Sequence, residues 1–366
     1  MEDHRSSAFP HLTQSLLQDL TKIFHTVDGR PFIFPATGSG GWEAALVNTL
    51  SPGDRLLAVR NGQFSALFIN CAERLGMKVD VIDVGWGDGV PAGRVEKALK
   101  ADQAHEIKGV LIVHNETATG VTSDVAAVRH AMDAASHPAL LYVDGVSSIG
   151  SLEFRMDAWG VDLAITGSQK GLMLPAGLGI ICVSRKALAQ VDTAGCNRCF
   201  FDLRDMMKAN QGGYFPYTPA LSLLFGLRES LDMLLEEGME QVVARHRRLA
   251  DGVRAAVDAW GLKVCAGKPE WNSDTVTAVM VPEGVDGARI IDLAFRRHNL
   301  ALGAGLTKMA GKLFRIGHMG DLNDLMVLGA LAGVEMAMAD AGIDVKFGSG
   351  VGAAAAHYQR TPAAHH

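Results

Sequence analysis

Cysteine, tyrosine and tryptophan are scarce in this chain, and no long apolar run crosses it. Five cysteines in 366 residues are too few for the disulfide framework that holds small secreted domains. Cys196 and Cys199 form a C-x-x-C pair, yet no second pair stands where a zinc site needs it. No metal and a reducing, cytoplasmic setting are therefore expected. No stretch approaches the roughly 20 apolar residues of a membrane span. The opening MEDHRSSAFP is polar and acidic, unlike a secretory signal or transit peptide. The closing TPAAHH is not a peroxisomal address. Positive charge is also short: 34 Lys and Arg against 40 Asp and Glu leave a net charge of -6. That balance argues against nucleic acid as a main partner.

What the chain does have is apolar residues, 48% of the total, and 41 glycines, at a length that calls for two domains. Apolar runs at 55–59, 78–84, 110–114, 140–144, 162–166 and 179–183 read as short buried strands. Helical patterns lie between them at 43–50, 65–75, 94–101 and 125–135. This alternation predicts an α/β fold, with a mostly parallel central sheet covered by helices on both faces. Long helices are expected from Thr218 to Trp260. A strand at 275–281, a helix at 288–298, a strand at 313–317 and a helix at 322–341 then predict a smaller C-terminal α+β domain. The expected division is a large domain over 1–245, a small one over 246–345 and a Gly/Ala-rich tail over 346–366.

Ligands of parallel α/β sheets bind beyond the carboxyl ends of the strands, and suitable residues lie there in several segments. Ala36-Thr37-Gly38-Ser39-Gly40-Gly41 precedes a helix. Small residues and a helix N-terminus suit an anion such as phosphate, although Gly-rich turns before helices are also common. Asp144 ends an apolar strand and precedes Gly145. It is either a turn former or the anionic partner of a protonated cofactor ring nitrogen. Lys170, in Ser168-Gln169-Lys170, follows another apolar strand, one crossover downstream of Asp144. It is either a surface charge or a desolvated amine with a lowered pKa, able to form a Schiff base. His114-Asn115-Glu116-Thr117-Ala118-Thr119-Gly120 is either a turn held by its own side chains or a contact to a ring oxygen or substrate.

Taken in order, ATGSGGWEAAL, RNGQF, HNETATGVTSD, VDGVSSIGS, TGSQKGLMLPAGLG, YTPALSLLFGLRESL and KLFRIGHMG resemble the class V aminotransferases. The likeness runs from about Glu2 through the terminal GSGVGAAAAHY and is nearest to the serine–glyoxylate branch, with alanine– and aspartate–glyoxylate enzymes close by. The resemblance implies fold-type I and pyridoxal 5'-phosphate (PLP) on Lys170, with Asp144 at the pyridine nitrogen. It places Thr37, Gly38, Ser39 and Gln169 on the phosphate, Phe64 against the ring face and Thr117 at the ring oxygen. Thr218 resembles a residue that reaches the neighbouring subunit's phosphate, which implies a homodimer with sites at the interface; Tyr217 is a candidate helper in that contact. Arg315 matches the clamp for a substrate carboxylate, a role suited to its planar fork. Its neighbours Phe314, Ile316 and Gly317 make the strand otherwise apolar.

Members of the family usually carry a Pro-Gly-Pro-containing segment upstream of the position matching Asp3-His4-Arg5. This sequence does not include it, so either a shortened enzyme or a further upstream stretch is expected. The activity implied is ping-pong transamination from an amino acid, serine first, to glyoxylate, giving hydroxypyruvate and glycine. A cysteine desulfurase-like lyase is a rival on the same fold, but it needs an activated loop cysteine, and Cys196 and Cys199 alone lie in a candidate loop. A non-catalytic relative of the fold is the other alternative. Against it stands the joint presence of Lys170, Asp144, Gln169 and Arg315.

Overall fold

The apolar runs gather into one sheet in the computed structural model, which describes residues 3–361. Its strands are β1 (Arg30–Pro35), β2 (Arg55–Arg60), β3 (Lys78–Asp83) and β4 (Ile107–Val113). A two-strand hairpin, β5 (Asn115–Glu116) and β6 (Val121–Thr122), follows β4. The sheet continues with β7 (Leu140–Asp144), β8 (Leu163–Gly167) and β9 (Leu178–Val183). The order across its seven strands is β1-β9-β8-β7-β4-β2-β3. All run one way except β9, which is antiparallel to both β1 and β8.

Helices α1 (Phe9–Ile23), α2 (Gly38–Thr49), α3 (Gln63–Arg74), α4 (Ala92–Ala101) and α5 (Val125–Ala134) alternate with these strands. Then come α6 (Arg185–Leu188), α7 (Leu203–Gln211), α8 (Leu221–Glu237) and α9 (Met239–Ala259). Alternate side chains of each strand enter different cores. On β7, Leu141 and Val143 pack with α1, α4, α5 and α8, whereas Leu140 and Tyr142 pack with α2 and α3. Burial on both faces is why these strands read as continuous apolar runs.

Strand β3 departs from the expectation of a buried strand at 78–84. It is the last strand in the order, so one flank has no strand partner among the described residues, and Ile82 is its one buried side chain. Asp80 and Asp83 meet the Nε atoms of Arg55 and Arg60 at 2.6 Å each. Charge along an open edge discourages pairing with another sheet.

The second core lies C-terminal. Its sheet joins β10 (Lys263–Val264), β11 (Val276–Met280), β12 (Gly303–Ala304) and β13 (Leu313–Gly317) in the order β10-β11-β13-β12. Helices α10 (Gly287–His298) and α11 (Asp324–Asp340) cover it. Helix α9 runs unbroken through position 245. Val242 belongs to the large core, and Leu249 and Val253 belong to the small one.

The stretch over 346–366, expected as a tail, contains helix α12 (Ser349–Arg360), packed along α9 and α11. Tyr358 is buried there and bonds Leu249 O at 3.0 Å. Buried Glu335 of α11 accepts from Gly348 N at 2.6 Å, Gly350 N at 2.8 Å and the Trp260 indole at 3.0 Å. Burial pushes its proton affinity up, but these donors hold the carboxyl below its ordinary pKa. Glu335→Ala would leave buried amides at the start of α12 unpaired. We expect a loss on the order of 3 kcal/mol in urea unfolding of the cofactor-free protein; an unchanged midpoint would show that water satisfies those amides instead.

Candidate active site

One rim of the large sheet collects Thr37, residues 115–117, Asp144 and Lys170. Val113 pairs with Asp144, Asp144 with Ile165, and Gly167 with Gly179, while Pro35 pairs with Leu178. The loops leaving β1, β4, β7 and β8 therefore emerge side by side, where parallel sheets bind ligands.

At the end of β1, Thr37 caps α2 in extended conformation without using its side chain. Gly41 N bonds Thr37 O at 3.0 Å. The amides of Gly38, Ser39 and Gly40 have no backbone partner among the described residues. Such free amides at a helix N-terminus form an anion site. Glycine is needed for α2 to lie this close: a Cβ on Gly38 would come within 2.5 Å of Val146 Cγ2, and one on Gly41 within 2.7 Å of Ile165 Cγ2. A Cβ on Gly167 would meet the amide end of Gln169 at 3.0 Å and Gly38 N at 3.3 Å, so these two groups meet over one spot.

The loop after β8 is closed by Ser168. Its hydroxyl donates to Pro175 O at 2.7 Å and accepts from Leu178 N at 3.0 Å, and its carbonyl accepts from Leu174 N at 3.0 Å. Gln169 and Lys170 are left at the turn. Lys170 is half-buried and has no salt bridge among the described residues. Desolvation and the nearby Arg315 charge lower its pKa, against an opposing pull from Asp144.

Asp144 continues the Leu140–Tyr142 row that faces α2 and is 3% exposed. Burial pushes its pKa up to about 7, and the Glu116 charge adds to the rise. Val146 N, donating at 2.8 Å, and the Trp42 indole oppose it. The Trp42 Nε1 itself makes no hydrogen bond of standard geometry.

The segment after β4 connects with the C-terminal sheet. Asn115 Nδ2 donates to Ser147 Oγ at 2.9 Å and to Thr275 Oγ1, beside β11, at 3.0 Å. Thr117 Oγ1 donates to Ser147 Oγ at 2.8 Å. Arg315, half-buried on β13, donates from Nε to Ala304 O at 2.9 Å and from Nη1 to Thr117 O at 3.0 Å. Its Nη2 has no partner among the described residues. Phe64 sits in the first turn of α3, half-buried, with its amide held by Glu116. Thr218 stands apart: it is exposed, ahead of α8, and makes no side-chain hydrogen bond within the described residues. Tyr217 stacks on Phe200 at 4.3 Å between ring centroids, and its buried hydroxyl has no hydrogen-bond partner among the described residues.

Residues 4–314 match the class V aminotransferase family. The chain belongs to that family. As a class V enzyme it is a fold-type I, PLP-dependent aminotransferase. It is 59% identical to the serine–glyoxylate aminotransferase of Methylorubrum extorquens over 99% of this chain and 92% of that one. It is 55% identical to the L-aspartate–glyoxylate aminotransferase of Paracoccus denitrificans, over 99% and 91%. The pyridoxamine–pyruvate aminotransferase structure from Mesorhizobium loti superposes with a TM-score of 0.91 at 30% identity, covering 99% of this chain and 92% of that one.

Burial raises the pKa values of Cys71 and Cys265 to about 11 and lifts those of Cys182 and Cys196, the opposite of what a thiolate nucleophile needs. The sequence reading missed Trp42, Ser147 and the part played by Glu116. A carboxylate set among apolar and hydroxyl residues in HNETATG was the available signal for the last.

Asp144 holds its proton more tightly folded than unfolded. Its ionisation therefore disfavours the folded apoenzyme as pH rises from about 4 through about 7. Cofactor-free Asp144→Asn should melt a few degrees above the wild type at pH 8. The gap should close toward pH 4. Calorimetry at both pH values checks this, and equal melting at pH 8 would show that a neighbouring positive charge already compensates the carboxylate.

Proposed function

We propose that this aminotransferase moves the amino group of L-serine to glyoxylate, producing hydroxypyruvate and glycine in two half-reactions. The near-full-length 59% identity to a serine–glyoxylate enzyme carries this reading. The aspartate-using relative at 55% makes aspartate the nearest alternative donor, with alanine behind it.

The residues present fit PLP. Free amides at Gly38, Ser39 and Gly40, beside Thr37 and Gln169, would hold its phosphate. Asp144, buried and with no side-chain partner in standard hydrogen-bond geometry among the described residues, would face the pyridine nitrogen, whose positive charge when protonated would favour the ionised carboxylate. Phe64 would cover the ring face, and Thr117 would meet the ring oxygen. Bound on Lys170, PLP supplies an electron sink that stabilises negative charge at the substrate α-carbon.

The chain's own groups do the rest. Arg315 offers the free Nη2 to the substrate carboxylate and is already oriented by Ala304 O and Thr117 O, so little freedom is lost on binding. Lys170 Nζ takes the α-proton, and the burial and Arg315 charge that lower its pKa favour the neutral amine this step needs. Thr218, exposed and unengaged, is suited to a second subunit's site. A cavity of about 500 Å³ opens beside the Ser39 and Gly40 end of α2, with half-exposed Leu67 in its wall. These features support a homodimer, which we place in the cytoplasm.

Lys170→Ala should lower turnover at least about a thousandfold, with kcat as the measurement; near-normal turnover would remove the lysine from the mechanism. For the donor, L-serine should bleach the visible cofactor band of the purified enzyme, and glyoxylate should restore it. Faster bleaching by aspartate or alanine would overturn serine as donor and leave the transaminase intact.

A further inference from the structure

Helix α3 begins after Gly62, a residue with no side chain to cap it. Its first-turn amides would be orphaned in a buried place. A carboxylate more than 50 residues downstream satisfies them: Glu116 accepts from Phe64 N at 3.0 Å and Ser65 N at 3.0 Å through Oε2, and from Ala118 N at 3.1 Å through Oε1. Ser65 Oγ completes the turn, accepting from Gly62 N at 2.9 Å and Asn61 N at 3.1 Å. A Cβ on Gly62 would overlap the Glu116 carboxyl group, so glycine at 62 makes room for this cap.

We propose that Glu116 is a positioning residue for the cofactor ring, because its carboxylate ties the turn carrying Phe64 to the segment carrying Thr117. The proposal rests on the PLP reading above. Both residues assigned to the ring lie next to atoms bonded by one carboxylate: Phe64 donates its amide to it, and Thr117 follows it in the chain. Glu116 is 0% exposed. A carboxylate so placed is costly unless its oxygens are filled, and here every backbone partner donates, which matches the ionised form. Burial leaves its pKa raised, and the amides of Ser65, Ala118 and Phe64 oppose that rise in favour of the carboxylate. Its charge also reaches Asp144 and Arg315. An amide at this position would turn its NH2 toward an N–H donor, and the two ring contacts would shift independently.

The test measures PLP binding to cofactor-depleted wild type, Glu116→Gln and Gly62→Ala. The second variant pushes the carboxylate aside without removing its charge. Dissociation constants come from fluorescence titration, and visible circular dichroism at saturating PLP reports how the ring is held. Far-ultraviolet circular dichroism and melting temperature report the fold, and if Glu116→Gln does not fold, Gly62→Ala decides by the same readouts. Both variants should bind PLP about tenfold or more weakly, as expected for losing a charge-assisted hydrogen bond, and show altered visible ellipticity. Wild-type affinity and an unchanged visible spectrum in both would overturn the proposal and leave the cofactor reading standing. A wild type that binds no PLP would overturn both.

Discussion

The site depends on one reversed strand. Because β9 runs against both neighbours, it pairs with β1 on one side and β8 on the other. Its first residue, Leu178, lies at the same rim as the last residues of β1 and β8. Ala36 N bonds Gly177 O at 3.0 Å across this junction. The start of α2 and the Lys170 turn are thus neighbours although more than a hundred residues separate them. A parallel β9 would have carried its start to the opposite rim and left the loop after β8 without the closure that Ser168 provides.

A second constraint is electrostatic. Asp144 and Glu116 are carboxylates with almost no solvent contact, and Lys170 and Arg315 are partly buried cations near them. Charges in such surroundings interact several times more strongly than in water. Each carboxylate is answered mainly by backbone N–H groups: Val146 for Asp144, and Phe64, Ser65 and Ala118 for Glu116. The amides are fixed in place, so these charges stay put when mobile groups come and go. That is the condition for electrostatic preorganisation.

Much of this was legible in the sequence, for physical reasons. Strands β4, β7 and β8 are buried on both faces and appear as unbroken apolar runs, and the polar residues ending them mark the rim. Asp144 ends β7 and Lys170 follows β8, its parallel neighbour, as one crossover between them implies. Edge strand β3 was read as buried because its apolar residues do not reveal which flank lacks a partner. Strand β1 carries a weak sequence signal, because two prolines bracket Phe32, Ile33 and Phe34 and prolines usually argue against a strand. They are tolerated here at an edge. Helix α12 does not announce itself in the sequence, because Gly and Ala carry little amphipathic signal. Its hold comes from Glu335 and Tyr358, partners set by the fold. The cap by Glu116 escaped notice for the same reason, since helix-start rules look for a nearby side chain.

Arg315 adds one more consequence. At rest its guanidinium already has two carbonyl acceptors, Ala304 O on β12 and Thr117 O after β4, and one terminal nitrogen with no partner among the described residues. In the carboxylate-binding role proposed for Arg315, an incoming molecule with an acidic group would complete that fork, whereas a simple amine of similar size would cover the nitrogen and leave it dry and unmatched. Selection against decarboxylated look-alikes would then be a matter of exclusion by unmet solvation, built in before any amino acid arrives.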